Sequence, residues 1–163
     1  MQFEISDDAL KKAKIPHELF LINLVFNHIL IFIAALGVVD TMPYFLMCVP
    51  ALSISILIYT LWRAKRAESI DDWYVMCHWQ ICAHRSKLFL MVVVLLLTAF
   101  LLGWLGFTYW GMEKVQVMAM IGGVGILPTM GSVLLLIVLE SDTLHQSKSG
   151  TLPDWVVEKF PRP

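Results

Sequence analysis

Residues 69–102 read SIDDWYVMCHWQICAHRSKLFLMVVVLLLTAFLL, a stretch without glycine or proline that begins polar and ends wholly apolar. If helical from Ile70 to Trp110, it makes one element about 60 Å long at roughly 1.5 Å per residue, about twice the hydrocarbon depth of a bilayer. Its apolar part, residues 88–109, suffices to cross. The preceding turns cannot lie in lipid and must project from the membrane. Ser69 with Asp72 three residues on forms a capping-box signature and places the helix start there.

The rest of the chain fits around this element. Its 163 residues are 58% hydrophobic and 15% charged, with a mean hydropathy of +0.73, far from the balance of a soluble domain. A formal net charge of -1 gives no reason to expect nucleic acid as a partner. Residues 19–39, 44–62 and 115–139 are three further uncharged or nearly uncharged runs of crossing length. The turns at Asp40–Pro43 and at residues 111–114 are too short for anything but hairpin connections. Every Lys and Arg except Lys114 then falls on one side, which the positive-inside rule assigns to the cytoplasm. The expected fold is all-α: an antiparallel bundle of four transmembrane helices with both termini cytoplasmic and the third helix extended into the cytoplasm. A bacterial inner membrane is the expected location.

Residues 1–16 read as a short amphipathic surface helix, with Ser6 as N-cap and Asp7 and Asp8 in the first turn. Pro16 suits the first turn of a new helix. No signal-peptide pattern precedes the first run, so it is expected to remain as a span. Residues 63–87 form the projecting extension between spans two and three. Pro50 and Pro128 should bend the second and fourth spans. Residues 140–163 read as a polar cytoplasmic tail in which Thr151 and Asp154 cap a last short helix. Cys48, Cys77 and Cys82 show no paired spacing, and no disulfide framework is expected.

Polar groups in lipid are expensive, and five stand out: Asn23, Asn27 and His28 in span one, Ser53 in span two and Thr98 in span three. Asn23 and Asn27 share a face that should point into protein. Pro128 leaves the Val124 carbonyl without its helical donor, and the His28 ring is placed to supply one. In the segment CHWQICAH only His78 and Cys82 share a helix edge, which is too few for a closed zinc site, so no metal and no cofactor is expected.

On the helical wheel, Ile70, Cys77, Ile81 and Leu88 make one apolar stripe of residues 70–87. Val75, Met76, Trp79 and Ala83 make another on the opposite side, with Trp73 near the helix start. A helix apolar on two opposite faces is gripped from both sides. The chain's own segments can cover one face, and the other is expected to dock a partner subunit or a second copy. Gly122, Gly123, Gly125 and Gly131, with Pro128 among them, allow close helix approach in span four. No catalytic cluster of any familiar kind is present, and no catalytic residue is assigned. The function expected is a non-catalytic oligomerising or partner-docking subunit of a membrane complex. The alternatives are an ion or proton channel centred on His28, and a lipid- or quinone-linked redox or transfer enzyme.

Overall fold

The computed structural model describes residues 2–162. Among them all regular structure is helical apart from one isolated bridge, between Gln2 and Thr151. Four helices are long and apolar enough to span a membrane: α1 (Asp7–Gly37), α2 (Pro43–Ile70), α3 (Trp73–Tyr109) and α4 (Lys114–Ser149). A short helix, α5 (Asp154–Lys159), follows. Large apolar side chains such as Ile33, Ile58, Phe107 and Leu134 are exposed on all four, as on helices that face lipid.

The third helix runs 37 residues without a break, about 55 Å at 1.5 Å per residue. It therefore outruns a bilayer core, as its sequence requires. Its start lies elsewhere than expected, at Trp73 with Asp72 as N-cap. The segment RAKRAE stays helical within α2, which continues to Ile70, and the Ser69 hydroxyl donates to Arg66 O within that last turn. Burial overrode the capping pattern: Ala64 and Ala67 are packed beneath Trp79, and ending α2 early would forfeit that contact. The turn is pinned by Arg63, whose two terminal nitrogens sit 3.1 and 2.7 Å from the Asp71 carboxylate and whose guanidinium lies 4.9 Å from the Trp79 ring centroid.

In α1 the Ser6 cap forms, its hydroxyl accepting from Ala9 N at 3.3 Å. Pro16, however, opens no new helix, because α1 continues through it. The carbonyl deprived of its partner belongs to Lys12, an exposed residue. The helix begun at Asp7 is therefore not a separate surface helix ending at residue 16; Ala9 and Ala13 are buried inside the protein. Farther on, α1 widens to π-helical pairing over Ile22–Ile31, and α4 does so over Ile121–Ile126. The second widening lies just ahead of Pro128, and Leu127 N reaches back five residues to Gly122 O. Pro50 sits in the first α-helical turn of α2, directly after a 3-10 turn at Pro43–Met47.

The fourth helix does not end where the composition turns polar at Glu140 but runs on to Ser149. Gly150 closes it with φ 70°, and its carbonyl accepts from Phe3 N at 2.8 Å. A Cβ there would stand 2.6 Å from Phe3 O, so glycine is required twice over, by conformation and by space. Pro153 rather than Thr151 is the N-cap of α5.

These contacts bring both described ends of the chain around the first turns of α3. On one side Trp79, Val75 and Ala83 pack with Ala9, Ala64 and Ala67. On the other, Cys77, Ile81 and Tyr74 pack with Ala13, Leu152 and Val156. Both apolar faces of residues 70–87 are thus covered within the chain. Trp79, Cys77, Ile81 and Ala83, expected to dock a partner, are buried; Trp73 and Met76 are half-buried, and Ile70 is exposed. Trp79→Ala should remove about 3–5 kcal/mol of stability, the usual cost of emptying a buried Trp site. Reversible unfolding in mixed detergent measures it, and a loss below about 1 kcal/mol would mean that Trp79 is not packed as described.

Candidate functional site

The polar groups of the spans are drawn together only in part. Asn23 Nδ2 donates to Ser53 Oγ at 3.2 Å, and Asn27 Nδ2 donates to Asn23 Oδ1 at 3.1 Å and to Val49 O at 2.9 Å. This ladder joins α1 to α2 inside the bundle. Thr98 takes no part: it is exposed, and its hydroxyl returns to Val94 O. His28 does not reach Val124, because its Nδ1 lies 3.0 Å from Asn23 O within the widened turn of its own helix. The His28 ring meets Phe89 edge-on at 4.9 Å and borders a cavity of about 40 Å³. That volume suits roughly a single water rather than a file of them.

A stronger polar cluster lies at the polar end, and only part of it was visible in the sequence. Glu140 of α4 has no solvent exposure, and an ionised carboxylate so placed needs partners on both oxygens. His17 of α1 stands with Nδ1 2.6 Å from Glu140 Oε2, and Arg85 of α3 donates from Nη1 to Glu140 Oε1 at 2.9 Å. The same Nη1 reaches Thr143 Oγ1 at 2.8 Å and Leu139 O at 3.0 Å. The other nitrogen of His17 lies 2.9 Å from His78 Nδ1 on α3. Three helices are therefore joined through one buried carboxylate.

The proton positions follow from these partners. Glu140 accepts, so His17 Nδ1 carries a hydrogen and donates. Burial, with His17 and Arg85 beside it, pushes the His78 pKa down to about 2, so His78 is neutral near pH 7. Its Nε2 is buried without a hydrogen-bond partner among the described residues. The Tyr74 and His78 rings meet edge-on with centroids 4.6 Å apart, and the Tyr74 hydroxyl donates to Gln146 O at 3.1 Å. Burial raises the Tyr74 phenol and the Cys77 thiol to about 12 each and the Cys82 thiol well above its ordinary value. Neither thiol supplies a thiolate near neutral pH. The Cys82 thiol instead donates to Pro16 O at 3.3 Å. Among the described residues, no three His, Cys, Asp or Glu side chains gather as metal ligands.

On its outer side Arg85 borders a groove of about 430 Å³ between α3 and α4. His84 and Trp155 stand at its rim with ring centroids 5.5 Å apart. Of the four glycines in span four, only Gly125 is used inside the chain, where a Cβ would stand 2.8 Å from Leu96 Cδ1. Nothing lies within 4 Å of a Cβ at Gly122, Gly123 or Gly131. Comparison of the chain with protein families, curated proteins and solved structures finds no match.

Sequence reasoning weighed His78 only beside Cys82, as a pair too small for a metal site, and left His17, Arg85 and Glu140 outside every candidate set. A signal was present for Glu140, an acid directly following the uninterrupted run VLLLIVL. Acid should loosen this end of the protein. Because the folded pKa of His78 lies below its unfolded value, the unfolded state binds the extra proton, and stability falls as pH drops below about 6.5. Between pH 7 and pH 5 the loss from His78 alone is about 2 kcal/mol. Unfolding followed across this range in wild type and His78→Gln should show a slope steeper by about one proton in wild type. Equal slopes would place an exposed or already charged imidazole at position 78.

Proposed function

We propose that this chain is a non-catalytic integral membrane subunit that associates with another transmembrane helix through the outer face of α4. In this reading the helices run antiparallel and both termini are cytoplasmic, following the placement of every Lys and Arg except Lys114. The partner is a second copy of this chain or a larger membrane assembly. The observation that carries it is that Gly123 and Gly131 are exposed on α4 and meet nothing in the protein's own interior. A helical glycine costs about 1 kcal/mol relative to alanine, and in lipid its use is to let another helix backbone come close. The covered faces of residues 70–87 favour contact within the bilayer over contact through the projecting helix.

Supporting a non-catalytic role, the acid and imidazoles of the polar end are buried and bonded to one another, and the two cysteines beside them are protonated. Size analysis in mild detergent, paired with cross-linking in native membranes, should give a species larger than one chain. Gly123→Leu combined with Gly131→Leu should shift it toward the monomer by about tenfold in dissociation constant, or roughly 1.4 kcal/mol. A wild-type protein that is monomeric in both settings and co-purifies with nothing would overturn the proposal.

A further inference from the structure

Three features outside the reading above are candidates for a site: the cavity at His28, an outer groove near Lys114, and the groove beside Arg85. The first holds little more than a water. The second, of about 720 Å³, is apolar throughout apart from Lys114, and among the described residues no side chain fixes that ammonium in place. The third has a fixed donor.

All of the Arg85 hydrogen bonds leave from Nη1, toward Leu139 O, Glu140 and Thr143. Nε and Nη2 make none among the described residues, yet the side chain is only 15% exposed. The guanidinium is thus held rigid at one nitrogen while its side-on pair of N–H donors remains free beside the groove. Such a pair matches two oxygens of a phosphate group, and the entropy of fixing the side chain is already spent within the fold. Glu140 balances part of the Arg85 charge, but its other oxygen is committed to His17.

Below Arg85 the groove is walled by Leu88, Val92 and Leu135. From residue 85 to residue 92 is about 10 Å along a helix, most of the depth of one leaflet, since the whole hydrocarbon core is about 30 Å. His84 and the half-exposed Trp155 stand at the level of Arg85, where amphipathic rings belong at a membrane interface. A polar clamp above an apolar trough that runs most of the depth of one leaflet fits a molecule with a phosphate head and a hydrocarbon chain.

We infer that the groove between α3 and α4 is a binding site for an anionic phospholipid of the surrounding leaflet, its phosphate held by Nε and Nη2 of Arg85 and one acyl chain lying along Leu88 and Val92. The test uses the full-length protein in nanodiscs of phosphatidylcholine doped with phosphatidylglycerol, followed by delipidation and native mass spectrometry of the lipid retained. Wild type should keep one phosphatidylglycerol in preference to phosphatidylcholine by about tenfold. Arg85→Gln should lose that preference. Because Arg85 also holds Glu140, Leu88→Trp serves as a second variant that fills the trough and leaves the polar cluster untouched; it too should lose the retained lipid. Equal retention of both lipids by wild type, or undiminished retention by Leu88→Trp, would overturn the assignment. So would displacement of the lipid by inorganic phosphate alone, which would show a site that ignores the chain.

Discussion

A carboxylate with no access to water must be neutralised where it stands, and the Glu140 carboxylate sets the terms for the whole polar end. Its two oxygens take one partner from α1 and one from α3. Neither partner is optional: removing one leaves a buried charge uncompensated, at about 3–5 kcal/mol. The requirement fixes the register of three helices at once, since His17, Arg85 and Glu140 meet only when α1, α3 and α4 are aligned along their length. Apolar packing in the spans, where one lipid-facing side chain resembles another, cannot specify register so sharply.

The long third helix then acquires a purpose other than the one its sequence suggests. Its projecting turns are a core around which the chain's own ends close: Leu152 and Val156 on one side, Ala64 and Ala67 on the other. Arg85 stands where that closed end meets the groove between α3 and α4, one nitrogen committed inward and its other donors without partners among the described residues. Buried structure and exposed recognition share a single side chain there, and the first makes the second rigid.

Much of the architecture was legible because lipid imposes simple rules on length and charge. Four apolar helices of crossing length, the unbroken third helix and the shared face of Asn23 and Asn27 followed from apolar runs and helical spacing. The errors came where tertiary burial outweighed a local signal. Ser69 looked like a cap, but packing of Ala64 and Ala67 carried α2 past it; Pro16 looked like a start, but its lost hydrogen bond falls on an exposed turn. The polar cluster was hardest to foresee. His17, Arg85 and Glu140 lie far apart in sequence, and no spacing rule relates residues on three different helices. Glu140 read as the beginning of a tail because its polarity, taken alone, points to water.

The central claim is that His17 and Glu140 act as one buried unit, and a double-mutant cycle reads that directly. Unfolding free energies of His17→Ala, Glu140→Ala and the double variant would be measured against wild type near pH 7. If the pair is as described, each single change strands a partner in the interior, and the double variant costs less than the two singles combined by about 1.5–3 kcal/mol. Additive losses, within about 0.5 kcal/mol, would contradict a shared buried contact and with it the alignment of the three helices.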